Sequence, residues 1–265
     1  YFFIGGCSIG VERHQGFIPW DDDLDLGMLR SDFHSFISVA RCELKDGIFL
    51  QYGADKKEIN ETSYFCRIRK TNSTGVVREQ LGQACNHGIF IEIYPFDNVP
   101  NSEFLQKIQI EFSSLFRQLL CYRCNKANKK GIMHVINAMF FWASTEKIFL
   151  LFEKTCKAFD KIPTDMVNTV AMSNYAKTGE CYYHRSAVAN TVKKIFEGRK
   201  VQIAIGNDSI LRKCYGDYMQ LPKEGQRGNH HNQVVYYDPD RPYAESLAEG
   251  IPQKYFAGEY ELGML

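Results

Sequence analysis

Four carboxylates lie within five positions near the start of the chain, in the acidic segment between Pro19 and Gly27. They are Asp21, Asp22, Asp23 and Asp25. Alternate side chains of an extended segment point the same way, so Asp23 and Asp25 share one face. Adjacent carboxylates repel one another unless a cation lies between them, and hard oxygen ligands suit Mg²⁺ or Mn²⁺. The spacing favours a metal site that holds phosphates, with a solvated acidic turn as the alternative.

A pair of glycines precedes the acidic segment. Residues 1–4 are apolar and predict a buried strand that ends at Gly5 and Gly6, before the small residues Cys7 and Ser8. Glycines at such a junction allow backbone N–H groups to approach an anion closely. A glycine pair alone is a weak signal, since most such pairs are simply turns.

Hydrophobic periodicity predicts the elements that would position these groups. We expect a short helix over residues 8–15, the acidic strand over 23–29, a helix from an N-cap at Ser31 to about Lys45, and strands over 48–52, 64–70 and 89–94. The last strand is expected to end at Pro95. Glu92 is the only charge in that strongly β-forming run, so it is either partnered or functional.

The character of the sequence changes after Pro100. A helical pattern runs from Ser102 to about Lys161 with one break near residues 125–131, and it carries several basic side chains: Arg117, Arg123, Lys126, Lys129 and Lys130. A solvated helical face is the more common interpretation, and contact with an anionic lipid or polymer is the alternative. Further on we expect strands near 195–198 and 201–205, a helix over 209–218, and a loose segment from about residue 224.

Composition restricts the class of protein. The 265 residues are 45% hydrophobic and 24% charged with a net charge of +1, as expected for a soluble globular protein, and there is no basic surplus for nucleic acid. The nine cysteines include only one C-x-x-C pair, Cys121 and Cys124, which indicates reduced thiols rather than a zinc site. We therefore expect a cytoplasmic protein, with a peripheral contact at the inner face of the membrane left open.

Residues 1–30 resemble the LicD family of nucleotidyltransferase-fold phosphotransferases, of which fukutin and fukutin-related protein are distant relatives. The run Pro-Trp-Asp-Asp-Asp from Pro19 is the most specific part of the match. Three further segments agree, so that the resemblance covers about residues 1–230: residues 67–74, residues 93–97, and residues 215–219 followed by Pro222.

The resemblance implies an α+β fold: a nucleotidyltransferase-like mixed β-sheet core with flanking helices and a helical insertion. The corresponding divisions are a catalytic core over 1–100, the insertion over 101–161, the remainder of the catalytic domain over 162–230, and a loosely structured tail over 231–265. The implied activity is metal-dependent transfer of a phosphocholine-like group from a CDP-linked alcohol donor, such as CDP-choline, to a hydroxyl of a glycan or glycolipid, for example lipopolysaccharide or teichoic acid.

The resemblance also assigns roles to individual residues. Gly5 and Gly6 match the glycine motif before the first helix, and Asp23 and Asp25 match the paired metal-binding aspartates. Glu92 matches the third acid on a neighbouring strand, where many relatives carry Asp. Cys7 stands where the family usually has Thr or Ser, which weakens any hydroxyl contact to phosphate there, and Ser8 could substitute for it.

Several other side chains are candidates for the donor site. Arg13, His14, Arg67 and Lys70 would hold the diphosphate, with ordinary surface charge as the alternative. Glu92 would complete the metal shell or accept the proton of the acceptor hydroxyl. Arg227 and His230 are weaker candidates, and so is Asp217, which could simply end a helix. Trp20 would either stack on a base or anchor the acidic strand.

Two other functions fit the same residues. One is a sugar-nucleotide glycosyltransferase whose Asp23-Leu24-Asp25 is the D-x-D motif that holds a metal on its donor. The other is a non-catalytic nucleotide-binding relative that retains the fold. The intact aspartate pair argues against the second, because clustered charge destabilises a protein that binds no metal.

Overall fold

The computed structural model describes residues 1–53, 64–77, 85–124, 131–172, 182–227 and 234–248. The strands are β1 (Phe2–Phe3), β2 (Asp25–Leu29), β3 (Ile48–Gln51), β4 (Cys66–Lys70), β5 (Thr74–Val77), β6 (Ile89–Val99), β7 (Met166–Asn168), β8 (Tyr183–His184), β9 (Thr191–Phe196), β10 (Arg199–Ala204) and β11 (Val234–Asp238). The helices are α1 (Gly5–Arg13), α2 (Arg30–Glu43), α3 (Glu103–Cys124), α4 (Ile132–Met139), α5 (Thr145–Cys156), α6 (Arg185–Ala189), α7 (Asn207–Tyr215) and α8 (Tyr243–Ala248).

One large mixed sheet organises these elements. Its main path has the order β3-β4-β6-β2-β1-β10-β9, and β7 and β8 extend it from the far end of β6. The pairs β2–β6 and β1–β10 are parallel and the other pairs are antiparallel. The predicted α+β fold, with a mixed sheet and flanking helices, is confirmed.

Helix α2 follows directly from its sequence pattern. Phe33, Ile37 and Ala40 recur at helical spacing, are buried, and pack the helix against the sheet. The predicted N-cap at Ser31 is wrong by two positions: the helix begins at Arg30, its cap is Leu29, and no side chain caps it.

The strand that carries Glu92 is longer than predicted. Instead of ending at Pro95, β6 continues to Val99. Proline lacks an N–H group and usually interrupts a strand, but Pro95 lies opposite Met28 of β2 and the following residues 97–99 pair with β7. New partners beyond the proline therefore sustain the strand.

The helical pattern predicted for the proposed insertion is confirmed, with one break more than predicted. A second interruption separates α4 from α5, and Ser144 starts α5 by accepting a hydrogen bond from the Lys147 N–H. The two long helices, α3 and α5, pack around an apolar cluster that includes Leu119, Ile148 and Phe152. Val99 of β6 belongs to the same cluster.

The segment predicted to be loose contains regular structure. Residues 234–238 form β11, which pairs with β5 in a separate two-stranded sheet, and α8 follows. The Thr74 hydroxyl on β5 donates to the Arg241 carbonyl and contacts the Ser246 hydroxyl. The prediction of looseness from residue 224 is therefore wrong over β11 and α8, because a partner distant in sequence orders them.

A buried ion pair joins the ends of β2 and β6. The Arg30 Nε donates to the Asp97 Oδ1 at 2.6 Å, and both side chains are buried. Burial raises the pKa of Asp97 to about 6, and the attraction of Arg30 offsets this only in part. The second carboxylate oxygen, Oδ2, is buried without a partner among the described residues.

We expect Asp97→Asn to lower the free energy of unfolding by about 3–5 kcal/mol, because it leaves the buried guanidinium of Arg30 without its anionic partner. The double variant Arg30→Met/Asp97→Leu should lose less than the two single changes together, as measured by urea unfolding. The exposed pair Arg212 and Asp208 is the control, since solvent screens it and breaking it should change stability far less. Additive losses at the buried pair would contradict this expectation.

Candidate metal and phosphate site

The start of α1 lies directly against the acidic segment. The helix begins at Gly5, three residues earlier than predicted, with a φ of +57° that favours glycine. A Cβ atom at Gly6 would lie 2.3 Å from the Asp21 Oδ2, and one at Gly5 would lie 3.9 Å from the Asp25 Oδ2. Gly6 therefore lets the helix N-terminus approach a carboxylate, where its partial positive charge is favourable, whereas Gly5 is favoured by its φ and not by lack of space.

Cys7 ties the same helix to the backbone of the acidic segment. Its Sγ donates to the Asp23 carbonyl at 3.3 Å and accepts from the Asp25 N–H at 3.3 Å. Burial, with the nearby carboxylates adding to it, raises the pKa of the Cys7 thiol far above its ordinary value. The side chain is thus a neutral bridge between two backbone groups.

Three ligand atoms converge beside this bridge. The Cys7 Sγ and one oxygen each from Asp21 and Asp23 all lie within 4.8 Å of one another, a grouping that could hold a metal ion. A neutral thiol is a poor ligand for a hard cation, so the carboxylates are the better candidates. Asp21 was not among the ligands predicted from sequence, although the alternation that relates Asp23 to Asp25 extends back to it.

Asp25 is not one of the three residues grouped in this way, although the charges of Asp23 and Asp21 act on its carboxyl. Its Oδ1 is buried and has no hydrogen-bond partner among the described residues. Burial is the main reason that the pKa of Asp25 is raised well above its ordinary value, and Glu92, Asp23 and Asp21 raise it further. An oxygen left in this state fits a cation as its missing partner, so the residues present are compatible with Mg²⁺ or Mn²⁺.

Strand register places Glu92 beside Asp25 and Arg67 beside Glu92, on the neighbouring strands β2, β6 and β4. The Arg67 Nε and Nη2 donate to the Glu92 Oε1 at 2.8 and 2.6 Å, and the Tyr94 hydroxyl donates to the Oε2. The Arg67 guanidinium also lies over the ring of Phe90, 4.3 Å from its centroid. Glu92 is therefore a partnered acid, and Arg67 is a buried cation next to the carboxylate cluster.

A second group of basic side chains surrounds the end of α1. The Arg13 Nη1 donates to the carbonyls of Tyr218 and Gln220 at 2.6 and 3.2 Å. The guanidinium of Arg227 lies 5.9 Å from the ring centroid of Trp20. Burial and the charge of Arg227 lower the pKa of Arg13, while burial and Arg13 lower that of the neighbouring His14, as expected where cations gather.

The remaining predicted residues are more dispersed. Ser8 is buried in α1, and the Lys70 Nζ donates to the Pro239 carbonyl at 3.0 Å. Asp217 accepts from the Gln220 Nε2 at 2.7 Å, in the turn that follows α7. His230 lies outside the described residues.

In the large mixed sheet, β2 pairs in parallel with β6, and the N-terminus of α1 lies against the acidic segment. This arrangement is consistent with a nucleotidyltransferase-like fold. Residues 1–116, a little under half of the chain, match the sequence model of the LicD/FKTN/FKRP nucleotidyltransferase domain family. It is 28% identical over 254 residues to the lipopolysaccharide cholinephosphotransferase LicD of Haemophilus influenzae, with 89% of this chain and 88% of that protein covered. The chain is thus similar to LicD-family proteins, over its first 116 residues to the family's domain and over most of its length to this relative.

The charge cluster predicts how Asp25→Asn changes stability. In EDTA at neutral pH we expect the variant to unfold at a higher temperature than the wild type, because an ionised Asp25 is repelled by its neighbours. Since the pKa of Asp25 is raised in the folded state, its cost is absent at low pH and appears as the pH rises through that pKa. The difference in melting temperature should therefore shrink on acidification.

Added Mn²⁺ should reverse the order of the two proteins. An ion at about 100 times its dissociation constant stabilises a protein by about 2.7 kcal/mol, and Asp25→Asn should lose most of this gain. Asp22→Asn is the matched control, because Asp22 is the exposed neighbour in the same segment. An equal Mn²⁺ effect on Asp25→Asn and wild type would exclude Asp25 as a ligand.

Proposed function

We propose that this protein transfers a phosphocholine-like group from a CDP-linked alcohol to a hydroxyl of a glycan or glycolipid, with Mg²⁺ or Mn²⁺ as cofactor. The observation that carries the proposal is the grouping of the Asp21 and Asp23 carboxylates with Cys7 at the start of α1. The buried Asp25 oxygen without a hydrogen-bond partner among the described residues supports it, since the charges of Asp23 and Asp21 act on that carboxyl. The activity named for the Haemophilus relative supports CDP-choline as donor and lipopolysaccharide as the type of acceptor.

Asp23 and Asp25 would hold the cation, and Asp21 is a further candidate ligand. A bound Mg²⁺ or Mn²⁺ supplies neutralisation of the negative charge that develops on the phosphoryl oxygens and on the departing CMP. The ligand set is carboxylate oxygen, which matches the preference of both ions. Cys7 would keep the acidic segment in place through its two backbone contacts.

The reaction is a displacement at phosphorus. The acceptor hydroxyl oxygen forms a bond to the phosphorus that bears the alcohol, the bond from that phosphorus to the CMP oxygen breaks, and CMP leaves with the electron pair. The hydroxyl proton must pass to a base within hydrogen-bond reach. Glu92 is one candidate for that base, although its bonds to Arg67 and Tyr94 favour a role beside the cation instead.

Positive groups on two sides would hold the donor. The N-terminus of α1 at Gly5 and Gly6 offers backbone N–H groups to a phosphate. Arg13, His14 and Arg227 would add charge near the end of the same helix, with Trp20 as a stacking surface for the cytosine. Arg67 would act on the charge of the cluster through Glu92, and Lys70 stays a weaker candidate because it bonds to Pro239.

The central test is the double variant Asp23→Asn/Asp25→Asn. We expect Mn²⁺-dependent CMP release from CDP-choline to fall by at least about 1000-fold, because the charge stabilisation of the transition state is removed. Circular dichroism should stay native, and Asp22→Asn should retain activity. Full residual turnover in the double variant would refute the proposed roles.

A panel of donors tests the reaction class separately. CDP-choline, CDP-ribitol, CDP-glycerol and UDP-sugars are offered in parallel with a lipopolysaccharide acceptor. We expect CMP from a CDP-alcohol and no UDP. Release of UDP would identify a glycosyltransferase, while nucleotide binding without any release would identify a non-catalytic relative.

Glu92→Gln separates the two roles of that acid. If Glu92 helps to hold the cation, the Mn²⁺ concentration for half-maximal activity should rise about 10- to 100-fold, and saturating Mn²⁺ should restore kcat. If it is the base, kcat stays low at any Mn²⁺ concentration and the acidic limb of the pH–rate profile disappears. Glu92→Gln/Arg67→Met is the control for loss of the buried ion pair itself.

A further inference from the structure

Exposed apolar side chains are concentrated in the helical insertion. Of the large apolar side chains that the structure describes, the four most exposed all lie there: Phe141 at 84%, Ile132 at 72%, Phe104 at 70% and Met139 at 68%. Clustered exposure of this kind marks an interaction surface rather than a scattered remainder of the core.

Most of this surface belongs to α4 and the turn after it. Ile132, Val135 and Met139 recur at helical spacing on one face of α4, and that face is exposed. Phe141 and Trp142 follow at once, and Trp142 is 57% exposed. We call these five residues the α4 apolar face.

Contacts with α3 hold the α4 apolar face outward. On the opposite side of α4, His134 Nδ1 and the Tyr122 hydroxyl are 2.8 Å apart, and the Arg123 Nε donates to the Asn137 Oδ1 at 2.7 Å. Arg123 also donates to the carbonyls of Phe140 and Ala143, on both sides of the exposed aromatic pair. The face is therefore presented by an ordered helix and turn, not by a free tail.

The sequence around this face is strongly basic. Between Glu111 and Glu146 there is no acidic residue, whereas the same stretch contains two arginines and three lysines. The lysines are Lys126, Lys129 and Lys130, which immediately precede α4 in the sequence. The whole chain has a net charge of only +1, so this local surplus is a distinct feature.

The dimensions of α4 fit an orientation parallel to a membrane surface. No helix within the described ranges has the length and hydropathy of a membrane-crossing segment. The eight residues of α4 span about 12 Å at about 1.5 Å per residue, well short of a hydrocarbon core of about 30 Å. Amphipathic helices with aromatic and basic residues bind such surfaces in plane.

We propose that the α4 apolar face inserts into the surface of an anionic phospholipid bilayer, whose charge is complementary to the basic surplus of residues 112–145 in the sequence. A second copy of this chain is a poorer occupant, because it carries the same basic surplus and offers no complementary charge. The proposal does not depend on the transfer reaction, because the residues proposed for that reaction lie outside α3, α4 and α5.

The test is flotation of the whole protein with vesicles of phosphatidylcholine containing about one third phosphatidylglycerol. We expect binding that weakens at least fivefold in pure phosphatidylcholine vesicles and in high salt, because screening removes the lysine contribution. Phe141→Ser/Trp142→Ser should lower binding by at least tenfold. In a Trp20→Phe background, the fluorescence of Trp142 should shift to shorter wavelength on vesicle addition.

The matched control is Val39→Ser/Ile205→Ser, which removes two apolar side chains of similar exposure, 51% and 59%, outside the insertion. Its binding should equal that of the wild type. Failure of the wild type to float, equal losses in both double variants, or a dimer in sedimentation analysis that Phe141→Ser/Trp142→Ser abolishes would each overturn the proposal. CMP release is measured separately, in detergent-free solution without vesicles. That assay reports on the proposed reaction alone, so it distinguishes a failure of membrane binding from a failure of the reaction.

Discussion

Electrostatic repulsion among carboxylates is the main constraint on how the side chains of the first part of the chain are arranged. Burial raises the pKa of Asp25 well above its ordinary value, and the charges of Glu92, Asp23 and Asp21 raise it further. Arg67 relieves part of this repulsion by pairing with Glu92. Asp25 keeps a buried oxygen without a hydrogen-bond partner among the described residues, and the proposed cation would supply that partner.

The sheet fixes the distances within this cluster. Parallel pairing of β2 with β6 sets Asp25 opposite Glu92, and antiparallel pairing of β6 with β4 sets Glu92 opposite Arg67. Beyond them, the Arg30–Asp97 pair closes the other end of β2 and β6. A shift of one residue in either pairing would turn the paired side chains to opposite faces of the sheet, so the proposed site depends on this register.

Local patterns in the sequence were enough to predict the acidic strand, α2, β4 and the helical insertion, because each has its own periodicity. The features that could not be predicted depend on distant partners. Strand β6 continues beyond Pro95, where residues 97–99 pair with β7. Strand β11 likewise pairs with β5, which lies far away in the sequence. The roles given to individual site residues stay predictions until the variants are measured.

Two residues of the site illustrate the same limit. Cys7 was interpreted as a weakened phosphate contact, whereas its thiol bridges the backbone at Asp23 and Asp25. Asp21 was passed over, although it shares the alternation of Asp23 and Asp25 and its carboxylate lies against Gly6. Sequence spacing identified the side of the strand, but only the fold shows which helix approaches that side.

The Arg67–Glu92 pair has a consequence for the evolution of such sites. The carboxylate of a glutamate reaches one methylene further than that of an aspartate, and the Arg67 guanidinium meets it while lying over the Phe90 ring. A descendant that shortened this acid would pull the anion away from its cation and from the Tyr94 hydroxyl. Positions 67, 90, 92 and 94 are therefore expected to diverge as a linked set, with compensating exchanges rather than independent drift.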